Sequence, residues 1–282
     1  MFDKSTWIKL PRNVVIGHGV LDQVGAAVDD DYLSGQPLLV TSQTPERLAG
    51  DRLRAQFDVE PHTVTVEKAS FASVEAVAET ALAEETDYII ALGGGKPIDI
   101  AKMAAERVDC GFVSVPTVAS HDGIVSGRSS IPEGDTRHSV AADPPLAVVA
   151  DTELLAQAPW ELTTAGCADI ISNYTAVKDW QLAHRLKNVE YSEYAGALSE
   201  MTAEMLVDSA DSIKPGLEEA AWIVVKALVS SGVAMSIAGS SRPASGAEHL
   251  FSHQLDRLVP NTALHGHQVG VASILTEYLH SG

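Results

Sequence analysis

A chain of 282 residues with 45% hydrophobic side chains can bury one large core or two ordinary ones. Thirty-eight Asp and Glu against nineteen Lys and Arg leave a formal charge of -19, which opposes partnership with nucleic acid or an anionic membrane except through a local basic pocket. The acids are scattered in short runs such as DDD at 29–31, a solvated coat of the kind found on proteins of salt-accumulating organisms, where high ionic strength screens self-repulsion. No run of about 18 apolar residues stands out as a bilayer span, and MFDKSTWIKLPRN lacks the basic-then-apolar order of a signal peptide, so the cytoplasm is the expected compartment. Cys110 and Cys167 have no CxxC spacing and are expected to be reduced and mostly buried.

In chain order, short β-branched runs alternate with helical patterns. PLLVTSQT at 37–44, HTVTVEK at 62–68, DYIIALGGG at 87–95, GFVSVPTV at 111–118 and PLAVVAD at 145–151 read as strands. SVEAVAETALAEE at 73–85 and PIDIAKMAAERV at 97–108 carry apolar residues at helical spacing. The alternation predicts an N-terminal α/β unit with a parallel, Rossmann-like sheet over residues 1–151. From Thr152 onward no strand is predicted. Segments 152–159, 164–186, 193–213 and 217–238 all read as helices, so residues 152–282 are expected to form an all-helical second domain. HGHQVGVASILTEYLHSG ends the chain soon after a helix expected to start near His267, an ending that fits a helical domain cut short.

Three segments carry chemistry. In ALGGGKPIDIAK, 91–102, an apolar strand runs through three glycines into a helix with Pro97 in its first turn. Such a junction brings free backbone N–H groups and a helix N-terminus together, a place for a pyrophosphate, although it also serves as a plain tight turn. The spacing is neither GxGxxG nor a P-loop. VPTVASHDGIVSGRSS, 115–130, follows a strand and is too polar and glycine-rich to be core. It is a candidate binding loop on a rigid sheet edge or an ordinary surface loop. The third segment set is Asp169, His249, His253, His265 and His267. His249 and His253 share a helix face at i and i+4, and one carboxylate with two imidazoles suits Zn²⁺ with a position left open. Arg128, His138 and Arg242 are the candidate cations for an anionic substrate in so acidic a chain.

Taken together and in this order, GGGKPIDIAK, TVASHDG, ADIISNY, GAEHLFSH and HGHQVGVA resemble the metal-dependent polyol dehydrogenases related to iron-containing alcohol dehydrogenase and glycerol dehydrogenase. The likeness is greatest to the archaeal branch that makes sn-glycerol 1-phosphate, which would make halophilic archaea the natural source of the acidic coat. The resemblance implies a dehydroquinate synthase-like architecture, a nucleotide-binding α/β domain followed by a helical metal- and substrate-binding domain. It implies that Gly94, Gly95, Lys96, Pro97, Ile98 and Asp99 hold the cofactor pyrophosphate and its surroundings, and that Thr117, Val118, Ala119, Ser120 and Ser126 line the nicotinamide. By the same resemblance Asp122 contacts substrate, Asp169, His249 and His265 are zinc ligands, and His253 is a substrate contact. The implied reaction is reversible reduction of dihydroxyacetone phosphate to sn-glycerol 1-phosphate with NAD(H) or NADP(H). No Asp or Arg at the end of the second predicted strand selects between the two cofactors. A glycerol or other polyol dehydrogenase and a 3-dehydroquinate synthase-like lyase are the alternatives. The expected assembly is a homo-oligomer.

Overall fold

The apolar runs expected to pair do pair in the computed structural model, which describes residues 7–28, 33–133, 136–259 and 262–282. Strands β1 (Asn13–Gly17), β2 (Pro37–Thr41), β3 (His62–Thr65), β4 (Tyr88–Gly93), β5 (Gly111–Pro116) and β8 (Ala147–Asp151) form one parallel sheet in the order β1-β8-β5-β4-β2-β3. β2, β4 and β8 are buried along their whole length, as strands covered on both faces must be. Their side chains alternate between two apolar layers. Leu38, Val40, Ile89, Ala91 and Val148 face one, while Leu39, Ile90, Leu92 and Val149 face the other.

The chain runs from β2 outward to the edge strand β3, then crosses back to place β4 on the other side of β2. That reversal puts a topological switch point at the carboxyl ends of β2 and β4, where open α/β sheets bind ligands. Short helices α1 (Val24–Val28), α2 (Gln43–Pro45) and α3 (Asp51–Arg54) flank one face, and α4 (Phe71–Ala83) and α5 (Gly95–Val108) cover the other. A π-helical turn, Glu46–Gly50, links α2 to α3.

All strands among the described residues end by Asp151. Beyond it run α6 (Thr152–Ala156), α7 (Trp160–Ile171), α8 (Asn173–Lys187), α9 (Glu193–Asp208), α10 (Glu218–Ala238), α11 (Ala247–Leu258) and α12 (His265–Ser281). The first apolar layer continues into this half through Ile124, Val125, Ile170, Leu206, Val224 and Leu228, so one core spans both sides of residue 151. By length and mean hydropathy, 1.7, α10 could cross a membrane, which the sequence reading did not anticipate; half of its apolar window is buried. It packs against α6, α7, α9 and the turn at 122–124, as the central helix of a folded core does.

Several expectations are corrected. β1 was not anticipated, nor was the hairpin of β6 (Arg128–Glu133) and β7 (Thr136–Ala141), which carries the end of the predicted loop at 115–130. The single helix expected over 164–186 is two, α7 and α8, divided at Ser172. The Ser172 hydroxyl donates to the Asp169 carbonyl at 2.6 Å, competing with the backbone ladder where the first helix ends. The last helix begins at His265, two residues before the expected start.

Candidate active site

β4 delivers the chain to the glycine turn, and Gly94 is the N-cap of the fourteen-residue α5, with no side chain capping its amides. Pro97, at the third helical position, has no N–H to leave unpaired. A Cβ at Gly95 would stand 2.2 Å from His121 Nε2, and one at Gly94 would stand 3.0 Å from Val118 Cγ2. The glycines therefore let the loop after β5 lie directly against the start of α5. The Thr117 N–H, donating to the Gly93 carbonyl at 3.0 Å, ties the two segments together. Lys96 does not turn into this cradle; its ammonium donates to the Glu67 carbonyl at 2.7 Å. Ile98 and Asp99 are buried, and Asp99 Oδ2 accepts from the Ser130 N–H at 3.2 Å.

The loop is fastened from below by Lys102, a side chain 1% exposed that no sequence motif singled out. Its ammonium donates to the carbonyls of Gly123 at 2.8 Å and Arg128 at 2.6 Å. Thr117 and Ala119 are buried, and Ser126 is buried with its backbone against Gly232 of α10. Ser120 is partly exposed at the rim. The Asp122 N–H donates to Asp169 Oδ2 at 3.2 Å, and Asp122 Oδ2 accepts from the Ser231 hydroxyl at 2.9 Å. Burial, reinforced by the neighbouring Asp169 charge, pushes the Asp122 carboxyl up to about 7.

Asp169 on α7, His249 on α11 and His265 at the start of α12 converge, with one donor atom from each lying within 4.8 Å of the others. Asp169 Oδ1 stands 3.7 Å from His249 Nε2 and 3.9 Å from His265 Nε2, beyond hydrogen-bond reach, and has no hydrogen-bond partner although buried. A buried carboxylate oxygen aimed with two imidazole nitrogens at one point is a donor set that a divalent cation completes. α12 can bring His265 this close because a Cβ at Gly266 would meet the Ala165 carbonyl at 2.0 Å, so only glycine permits the approach.

Outer partners fix each ring. His249 Nδ1 lies 3.0 Å from Glu248 Oε1, on a carboxylate with no exposed surface that also accepts from the Thr175 hydroxyl. The Ser252 hydroxyl donates to Gln268 Oε1 at 2.6 Å and thus accepts from His265 Nδ1 at 3.0 Å, leaving the His265 Nε2 lone pair for the site. Burial alone would lower His249, but its contacts with Asp169 and Glu248 outweigh that and raise it to about 10. Burial and then the His249 charge lower His265 to about 3, so it is a neutral imidazole at ordinary pH. Burial opposes it, yet Asp169 is held below the usual carboxylate range by the adjacent His249 imidazole and its charge. We expect Glu248→Gln to weaken the affinity of this cluster for a divalent cation by about 10- to 100-fold, the usual effect of losing an outer carboxylate, in a chelator-competition titration.

Of the histidines singled out from sequence, His253 stacks on His265 with ring centroids 6.1 Å apart. His267 does not join the cluster; its Nε2 meets the Thr164 hydroxyl at 2.9 Å and ties α12 to α7. Cys167 lies outside the set too, its thiol pushed up to about 11 by burial. Arg128 and Arg242 line one cavity of 580 Å³ together with Lys187, which sequence reasoning missed. The side chain of His138 lies outside the described residues. Glu248, Ser252 and Gln268 were also missed, although Glu248 adjoins His249 in the quoted GAEH segment.

A glycine cradle at a switch point, beside a loop that hydrogen-bonds the carboxylate of an Asp–His–His cluster, fits a nicotinamide enzyme with a metal. The sequence model of the iron-containing alcohol dehydrogenases matches residues 15–159, and this chain belongs to that family. It is 79% identical over all of its 282 residues to the glycerol-1-phosphate dehydrogenase [NAD(P)+] of Halorubrum lacusprofundi, spanning 80% of that protein. Over 285 aligned positions it is 70% identical to the protein of that name from Halobacterium salinarum, covering 81% of it. Among solved structures, glycerol dehydrogenase from Schizosaccharomyces pombe superposes with a TM-score of 0.85 at 18% identity, over 99% of this chain and 74% of that one. Sulfoacetaldehyde reductase from Bifidobacterium kashiwanohense in complex with NAD+ gives 0.79 at 17% identity, over 99% and 77%. At such identities the two structures speak for the fold alone.

Proposed function

We propose that this chain catalyses the reversible NAD(P)-dependent reduction of dihydroxyacetone phosphate to sn-glycerol 1-phosphate, which supplies the glycerophosphate backbone of archaeal membrane lipids. The observation that carries the reading is the 79% identity, over the whole chain, to a relative of that named activity. The division of labour follows the chain: residues 1–151 hold the nucleotide and lend Asp122 and Arg128 to the substrate, and residues 152–282 hold the metal and the remaining substrate contacts.

The metal is taken to be zinc, held by Asp169, His249 and His265, since one carboxylate and two imidazoles suit it and leave a position for a substrate oxygen. When bound, the two groups supply the hydride donor and a positive charge that polarises the ketone. The chain does the rest. Gly94, Gly95 and the uncapped amides of α5 hold the pyrophosphate. Thr117, Val118, Ala119, Ser120 and Ser126, on the adjoining segment, shape the nicotinamide side. Asp122, whose carboxyl can hold a proton near neutrality, contacts a substrate hydroxyl. His253, one turn beyond His249 and with its ring 6.1 Å from that of His265, would pass a proton to the developing alkoxide. Arg128 and Arg242 provide positive charge for the substrate phosphate.

The test is an assay in high salt of zinc-loaded protein with dihydroxyacetone phosphate and each reduced cofactor. Stoichiometric loss of NADH or NADPH absorbance and a product of sn-1 configuration are expected. Equal turnover of unphosphorylated dihydroxyacetone would point to a general polyol dehydrogenase, and catalysis with no net cofactor consumption to a lyase.

A further inference from the structure

His121 sits between the two halves of this site and has no role in the reading above. Its Nδ1 accepts the Gly123 N–H at 3.0 Å, so in the neutral ring the proton is on Nε2. That Nε2 lies directly over the first residue of α5, only 2.2 Å from where a Cβ on Gly95 would be. The one cation of the glycine turn, Lys96, is engaged with the Glu67 carbonyl. An anion resting on the α5 amides would therefore meet His121 Nε2–H before any other side-chain donor named at the turn. His121 is also an electrostatic neighbour of both Asp169 and His265, so it borders the cofactor cradle and the ligand cluster together.

We infer that His121 is a cofactor-binding residue that donates from Nε2 to the pyrophosphate and sets how far the dinucleotide lies from the Asp169, His249 and His265 cluster. The inference rests on the nicotinamide reading of the glycine turn. The loop contact fixes the donor's direction: Gly123 N–H occupies Nδ1, which prevents the ring from flipping its donor away. It also explains why residue 95 is glycine, because any side chain there would displace the imidazole from the anion.

The experiment separates loop support from anion contact. In His121→Asn the side-chain oxygen can still accept the Gly123 N–H, but no donor reaches the start of α5. In His121→Gln the amide reaches that point. Zinc-loaded wild type and both variants are titrated calorimetrically with ADP-ribose, which carries the pyrophosphate, and with adenosine, which does not. For His121→Asn the ADP-ribose Kd should rise about tenfold, as loss of one hydrogen bond to a charged group predicts, with adenosine affinity and zinc content unchanged. His121→Gln should recover part of the loss. Equal ADP-ribose affinity in wild type and His121→Asn overturns the inference while leaving the nucleotide reading intact. Parallel losses for adenosine and ADP-ribose would make His121 a support for the loop and overturn it too. A wild-type chain that binds no ADP-ribose defeats the nucleotide reading and the inference with it.

Discussion

Asp169→Ala is expected to give a folded protein that retains no zinc through gel filtration and has no measurable turnover, whereas His253→Ala keeps its zinc and loses rate. Asp169 supplies the only negative charge among the three converging donors. Its Oδ2 is occupied by the Asp122 N–H, which holds Oδ1 toward His249 and His265. Alanine removes the donor and that aim together, leaving two imidazoles whose ring centroids are 5.1 Å apart. Loss of a direct ligand should exceed the roughly 10- to 100-fold weakening produced by an outer partner. His253 reaches the site from the next turn of the same helix but is not one of the converging donors, so its removal should cost a proton-transfer factor of about 10² to 10⁴ in kcat. Metal content by mass spectrometry and kcat, measured on both variants, decide the point. Equal zinc loss in the two would erase the distinction between ligand and substrate contact.

How far the site could be read from sequence depended on how local each signal was. The glycine turn shows itself within twelve residues, because an apolar strand, three glycines and an early-helix proline occupy contiguous positions. The His249 and His253 pair is visible because i and i+4 share a helix face. His265 and His267 could not be told apart by spacing, since the choice depends on where α12 begins and on Gly266 lying against Ala165. The resemblance favoured His265, and it is His265 that meets Asp169. Glu248, Ser252 and Gln268 act through contacts that need the rings already placed; Ser252 and Gln268 lie sixteen residues apart on different helices. β1 was overlooked for a related reason. Its five residues gain meaning only when paired with β8, where Asn13 faces Ala147.

Lys102→Met should destabilise the protein by about 3–5 kcal/mol, the range for removing one partner of a buried charged network. Methionine keeps the length and apolar stem of lysine, so the expected loss comes from the ammonium and not from a cavity. Without it, the Gly123 and Arg128 carbonyls lose their donor, and the buried Asp99 carboxylate loses a positive charge 3.8 Å from its Oδ1. Burial drives the Lys102 pKa down, and the Asp99 and Asp122 carboxyls beside it oppose that shift. For a chain of this size the loss corresponds to a Tm lower by about 5–8 °C in a thermal melt at high salt. The damage should also reach the chemistry, because the two carbonyls bracket the stretch after Asp122 and anchor the loop that carries Ser120 and His121. Cofactor affinity in Lys102→Met should therefore fall, while the proposed metal site of Asp169, His249 and His265, built on other helices, should keep its metal. A variant melting within about 2 °C of wild type with unchanged cofactor affinity would show that the loop holds its shape without the buried ammonium.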